Sequence, residues 1–189
     1  VGGMVDTSWF AHNDKIFSVL LAWQGGMEGA MAEADILCGD VTPSGKLTDT
    51  FAASFDDYPS SANFNDSKDY VCEHLDYFDD IYVGYRYFET IPGAAEKVNY
   101  PFGFGLSYTS FDLTCEKTEI DSESIAVTLR VTNTGAYAGK EVLQLYTSAP
   151  KCRLEMPKLE LRAFRKTDLL KPGESRTVTL RVPTSELSV

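Results

Sequence analysis

From about Phe111 onward the hydrophobic pattern has a period of two, which is the feature that most constrains the fold. One face of a strand would be formed by Ile125, Val127, Leu129 and Val131. Further alternating runs lie at residues 142–146, 159–164 and 178–182, and turn residues separate them at 133–135 and 171–174. Short alternating strands of this kind, about six where about seven are usual, predict a β-sandwich of immunoglobulin or fibronectin type.

Residues 1–60 carry the pattern of an α/β unit. Residues 17–23 form a continuous apolar run that is typical of a strand buried on both faces. Residues 27–38 predict a helix that Gly39 would end. Its apolar residues fall at spacings of about three and four on one face: Met27, Ala30, Met31, Ala34 and Leu37.

Residues 61–110 predict a connecting segment between the two parts. Its aromatic stretch, residues 80–89 (DIYVGYRYFE), favours a strand, because aromatic and β-branched residues fit a pleated surface. Both faces of that strand would be apolar. We therefore expect either packing between two domains or a sugar-binding surface formed by its tyrosines. The glycines at 103 and 105 predict close backbone packing beside it.

Composition and charge restrict the class of protein. With 43% hydrophobic and 24% charged residues, we expect a real core. A net charge of −11 argues against nucleic acid and anionic membranes as partners. The four cysteines, Cys38, Cys72, Cys115 and Cys152, are scattered without metal-binding spacing. As free thiols they would fit a reducing compartment such as the cytoplasm, and no metal or cofactor is expected.

Four segments in order carry a resemblance to glycoside hydrolase family 3. Residues 20–47 (LLAWQGGMEGAMAEADILCGDVTPSGKL) and 80–89 are similar to the family's α/β sandwich and to its tyrosine-arginine-tyrosine segment. Residues 100–111 (YPFGFGLSYTSF) are close to a family signature, and 131–146 with 170–180 resemble its fibronectin type III-like domain. The resemblance implies a partial α/β sandwich at 1–60, a connection with an aromatic interdomain strand at 61–110, and an incomplete fibronectin type III-like β-sandwich at 111–189. Both ends of the sequence look cut from a longer protein.

The resemblance also implies chemistry that lies outside these residues. Retaining glycosidases use two carboxylates, and in this family the nucleophile comes from a barrel domain and the acid/base from a loop upstream of residue 1. We therefore predict no catalytic, substrate-binding or metal-binding residue in this chain. The parent protein would be an exo-acting β-glucosidase that takes a β-linked glucoside or oligosaccharide through the barrel, with a β-xyloside as the alternative substrate. A non-catalytic, carbohydrate-associated or adhesive module is the alternative from another class. The position of the barrel before or after this segment, and assembly into a homo-oligomer, stay open.

Several side chains have two interpretations. Glu28 is either a catalytic acid or a glutamate that stabilises the start of a helix, and the second interpretation is favoured. Trp9 and Trp23 could stack on sugar rings, although core or interface packing is favoured. Asp6 and His12 share an early loop, where nothing distinguishes them.

A histidine and three acidic residues lie close together on the long connection: Glu73, His74, Asp76 and Asp79. They could line a subsite rim or bind a cation. A solvated surface cluster is the favoured interpretation.

Overall fold

The computed structural model describes residues 3–62, 77–151 and 153–187. In chain order its α-helices are α1 (Ser8–Ala11), α2 (Gly29–Cys38) and α3 (Tyr85–Thr90). The strands are β1 (Phe51–Ala52), β2 (Val98–Tyr100), β3 (Phe111–Ile120), β4 (Ser124–Asn133), β5 (Val142–Thr147), β6 (Glu160–Lys166) and β7 (Ser175–Pro183). Short 3₁₀ helices lie at Phe55–Asp57, Ala95–Lys97 and Thr184–Leu187. None of the helices in these ranges is long and apolar enough to cross a membrane.

The chain divides into two compact units. Unit 1 contains residues 1–25, 47–104 and 148–160, and unit 2 contains residues 26–46, 105–147 and 161–189. In unit 1, β1 pairs with β2 in antiparallel orientation, and Phe51 lies opposite Tyr100. Its core is a cluster of Ala52, Phe88 and Ala94, against which half-buried aromatic and aliphatic side chains pack.

The prediction of a strand at residues 80–89 was wrong, because α3 occupies the second half of this stretch. A turn precedes Gly84, which has a φ of +59° and is the N-cap residue of α3. From there a helical face places Tyr87, Phe88 and Ile91 against the core cluster. The strand propensity of aromatic residues depends on their surroundings, and here packing against the core outweighs it.

The prediction of a doubly buried strand at residues 17–23 was also wrong. No strand lies there, and Phe17, Val19 and Leu20 are 97%, 47% and 40% exposed. A strand needs a neighbour to hydrogen-bond its backbone, and no strand in the described part of the chain pairs with this segment. Phe17, Val19 and Leu20 therefore remain exposed, while Leu21 and Trp23 are half-buried.

Unit 2 contains the predicted β-sandwich strands. One antiparallel sheet has the order β3-β4-β7, and the other consists of β5 and β6. The structure thus describes five strands here. Each of the four predicted alternating runs lies within one of these strands or overlaps one. The core between the strands contains Val131, Leu143, Leu170, Val178 and Leu180. The period-two pattern is confirmed, because its inward side is this core.

Helix α2 also belongs to unit 2 and confirms the helical prediction, with a start two residues later than the pattern suggested. Gly39 ends it in the left-handed conformation with a φ of +85°, and its N–H caps the carbonyls of Asp35 and Ile36. Glu28 occupies the N-cap position instead of the first turn, and its side chain makes no capping hydrogen bond.

Candidate functional site

An ion pair in unit 2 joins the turn after α2 to the segment before β5. Lys46 Nζ lies 3.0 Å from Glu141 Oε1 and donates a hydrogen bond of 2.9 Å to the Gly105 carbonyl. The two charged side chains are only 17% and 16% exposed. A partly buried charge pair with an added hydrogen bond is costly to break, because the remaining charge would lose its partner away from water. We call these three residues the Lys46 junction.

Two glycines allow the backbone to approach closely around this junction. A Cβ added at Gly105 would collide with the Gly45 carbonyl oxygen, and one at Gly139 would lie 2.7 Å from Thr109 Cγ2. Nearby, the Tyr108 hydroxyl donates to the Ile36 carbonyl at the end of α2. Gly105 does allow a close backbone approach, but to Gly45 and not to the aromatic segment at residues 80–89 as predicted. Gly103 has a different role, since its φ of +79° needs a residue without a Cβ.

Asn133, at the end of β4, is a buried polar side chain with four hydrogen bonds in unit 2. It is 0% exposed, and its Oδ1 accepts hydrogen bonds from Thr109 Oγ1 at 2.6 Å and from Gly135 N at 3.1 Å. Its Nδ2 donates to the carbonyls of Tyr137 at 2.8 Å and Leu170 at 2.9 Å. This one side chain therefore satisfies polar groups from separate turns of the sandwich.

The aromatic residues of α3 pack within unit 1. The Tyr85 ring lies 4.7 Å from the Phe102 ring, and Tyr87 meets Phe88 edge-on at 5.2 Å. Arg86 Nη2 lies 3.8 Å from Glu160 Oε1, and its guanidinium carbon is 5.8 Å from the centre of the Tyr85 ring. Arg86 therefore makes both an ion pair and a cation–π contact. These contacts favour the interpretation that this segment packs against other side chains, rather than the interpretation that it forms a sugar-binding surface.

The early tryptophans lie outside the cores. Trp9, on α1, is 61% exposed and meets Phe10 edge-on at 4.8 Å, while Trp23 lies 6.4 Å from the Phe51 ring. Asp6 accepts a hydrogen bond from the Ser8 amide at 2.8 Å, and that bond lowers the pKa of its carboxyl group. Asp6 thus orders the start of α1, where it acts as a local turn residue.

The remaining candidates do not converge on one site. His12 is exposed at the end of α1, and Glu28 is exposed at the start of α2. Asp79 is half-buried, and its carbonyl accepts from the Tyr82 amide. Its predicted neighbours at positions 73, 74 and 76 lie outside the described residues.

Metal-binding chemistry has no geometric support in the described ranges. No group of three or more His, Cys, Asp or Glu side chains there is placed to hold a metal ion. Cys38 and Cys115 are exposed free thiols, while Cys72 and Cys152 lie outside the described residues.

One face of α2 is apolar and exposed. Met31 and Leu37 of α2 are 63% and 72% exposed, Met27 in the turn just before the helix is 100% exposed, and Ala30 and Ala34 are exposed as well. We call these five residues the α2 face. Helices of globular proteins normally bury their apolar residues, whereas no residue of α2 is buried.

The sequence indicated these features only in part. The sequence pattern indicates only a turn at Asn133, because its buried partners Thr109 and Leu170 are distant in sequence. The Lys46 junction was missed for the same reason. The glycines at 105 and 139 were the available signal, since glycine is common where backbones approach closely.

The described residues thus combine helices and a small sheet in unit 1 with a β-sandwich in unit 2, where glycines allow the backbone after α2 to pack closely. Residues 1–108 match the family model for the glycosyl hydrolase family 3 C-terminal domain, and residues 141–189 match the model for the fibronectin type III-like domain. The chain belongs to glycoside hydrolase family 3.

Similar proteins extend this result. The chain is 55% identical to beta-glucosidase A of Butyrivibrio fibrisolvens over 95% of its own length and 23% of that protein, and 40% identical to the beta-glucosidase of Ruminococcus albus over 100% and 19%. The structure of a beta-glucosidase from Paenibacillus barengoltzii has a TM-score of 0.81 at 50% identity, covering 87% of this chain and 18% of that one. Beta-glucosidase 3B from Thermotoga neapolitana in complex with glucose has a TM-score of 0.82 at 44% identity, covering 89% and 23%. This chain therefore spans about a fifth of the length of these relatives.

Proposed function

We propose that the protein carrying this chain is a retaining, exo-acting β-glucosidase that removes terminal β-D-glucosyl residues. The observation that carries the proposal is the 55% identity to beta-glucosidase A over 95% of the chain. The other similar proteins named above are also beta-glucosidases, which favours a glucoside over a β-xyloside as the substrate.

Within that enzyme we assign the chain a supporting role without catalytic, substrate-binding or metal-binding residues. The α2 face supports this assignment, because an exposed apolar helix face needs further polypeptide or a partner to cover it. The single acids and tryptophans named above are also dispersed, whereas a retaining site needs two carboxyl groups about 5–5.5 Å apart across the substrate. The substrate would bind through the barrel domain.

We assign the segments as follows. Residues 1–60 contribute to the α/β sandwich, 61–110 connect, and 111–189 contribute to the fibronectin type III-like sandwich. Limited proteolysis of the full-length protein tests this division, since stable fragments should begin or end near positions 60 and 110. Stable fragments cut within β4 or β7 would contradict it.

The activity is tested with the full-length protein and chromogenic aryl glycosides. We expect turnover of the aryl β-glucoside, slower turnover of the matched β-xyloside, and none of the α-glucoside control. The 189-residue chain alone should release no chromophore. If the full-length protein cleaves no aryl β-glycoside, the adhesive or carbohydrate-associated module becomes the better explanation.

A further inference from the structure

The connection between β5 and β6 is unusually long for two paired antiparallel strands. It runs from Ser148 to Leu159, whereas hairpin loops usually contain about two to five residues. Its second half, residues 153–159, is here called the strap. The strap belongs to unit 1, although most of the two strands it joins belongs to unit 2. A loop of this length usually has a role beyond closing a hairpin.

The strap contacts one side of α3 and the turn before it. The Lys158 amide donates to Thr90 Oγ1 at 2.9 Å, and Lys158 Nζ lies 3.8 Å from Glu89 Oε2. At the other end, the Tyr82 hydroxyl donates to Glu155 Oε2 at 3.5 Å. Pro157 lies buried between these contacts.

The ion pair between Arg86 and Glu160 continues these contacts at the first residue of β6. Opposite charges therefore face each other twice along the strap, with Glu89 and Arg86 on α3 and Lys158 and Glu160 on the other side. Desolvation raises the pKa of Tyr82, and the negative charge of Glu155 raises it further, which agrees with a close approach of the strap. Pro157 is buried, but the charged side chains of these contacts are partly exposed, so dissolved salt screens the attraction between them.

We propose that the strap is an electrostatic latch that closes over α3 and opens as ionic strength rises. Closed, it fixes the outer side of α3 while Phe88 on the inner side packs in the core cluster. Open, it leaves β5 and β6 paired, because none of its latch contacts is part of their ladder. The proposal concerns conformation and does not rest on the glucosidase assignment.

The test is hydrogen exchange of the full-length protein, followed in peptides that cover residues 153–159 and 85–91. At low salt, Glu89→Lys and Lys158→Glu should each speed exchange of both peptides by about threefold, the scale of one partly exposed ion pair. The double variant swaps the positions of the two charges, and it should restore the rate of hydrogen exchange to within about twofold of the wild type. High salt should remove the differences among these proteins.

The control is Lys117→Glu, which reverses a lysine with a glutamate partner at 2.7 Å within β3. It should leave both peptides unchanged. The latch would be overturned if the double variant exchanged hydrogen as fast as the single variants. It would also be overturned if exchange in the strap changed while exchange in α3 did not. If a single variant does not fold, the wild type decides: strap and α3 exchange that are independent of salt would refute the proposal.

Discussion

Replacing Asn133 by alanine should be among the most damaging single changes in unit 2. The side chain is 0% exposed and makes four hydrogen bonds, to Thr109, Gly135, Tyr137 and Leu170. A net hydrogen bond contributes about 1 kcal/mol, and a buried group left without a partner costs about 1–3 kcal/mol. Because alanine would remove four hydrogen bonds at a fully buried position and leave the buried Thr109 hydroxyl without its acceptor, we expect a loss of about 3–5 kcal/mol in the free energy of unfolding.

Hydrogen exchange of β4 peptides in the full-length protein measures this loss locally. A local measurement is needed because global unfolding of a large protein is not two-state. Since about 1.4 kcal/mol corresponds to a factor of ten, protection should fall by roughly 100- to 5000-fold. The control is Thr132→Ala on the same strand, which removes an exposed hydroxyl contact of 2.8 Å to Ser175. It should lower protection by less than about tenfold. A loss below tenfold for Asn133→Ala would refute the claim that its network holds the sandwich turns together.

Four further changes test other parts of the structure. Gly105→Ala should destabilise unit 2 by about 1–3 kcal/mol, measured by hydrogen exchange of its peptides, because its Cβ would meet the Gly45 carbonyl; unchanged protection would contradict the close approach. Tyr58→Phe removes the bonds of 2.9 Å to Ala52 N and Thr50 O and should cost about 1–3 kcal/mol at neutral pH. Burial raises the pKa of Tyr58, so the hydroxyl stabilises the fold below pH 10.0 and loses this effect as pH rises further; a stability gap between wild type and Tyr58→Phe that fails to shrink above pH 10.0 would count against this. Tyr87→Ala should lower the melting temperature more than it raises KM, and the reverse would favour a sugar platform. Glu28→Gln should change stability by less than about 0.5 kcal/mol and leave kcat unaltered, because its exposed side chain caps nothing; a kcat lower by orders of magnitude with an intact fold would make it catalytic.

The sequence predicts the β-sandwich well because its signal is local. Alternation along β4 and β7 directly reflects which side chains enter the core, as Val131 and Val178 show. Helix α2 is predictable for a similar reason, since Gly39 supplies the left-handed residue that ends it. Here composition and spacing within one element are sufficient.

Prediction failed where the partner of a segment decides its structure. Residues 80–89 have strand propensity, yet Gly84 starts a helix and the core takes Phe88 from a helical face. Residues 17–23 look like a buried strand, although no strand in the described ranges pairs with them. Propensity cannot show whether a hydrogen-bonding neighbour is present.

The candidate site divides in the same way. Residue type alone singled out Glu28 and Trp9. Glu28 lies exposed at the start of α2, and Trp9 lies exposed on the short helix α1. The Lys46 junction and the Asn133 network depend on residues far apart in the sequence, so only the fold brings them together. Their buried polar contacts could not be read from a pattern.

Covalent trapping of the full-length protein tests the central claim most directly. A retaining glycosidase forms a glycosyl-enzyme intermediate on its nucleophilic carboxylate. A 2-deoxy-2-fluoro-β-glucoside with a good leaving group glycosylates the nucleophile faster than water hydrolyses the glycosyl-enzyme, so the labelled carboxylate accumulates and can be mapped by peptide mass spectrometry. The account predicts one labelled carboxylate outside these 189 residues. A label on any aspartate or glutamate within them, with activity lost in step, would contradict it.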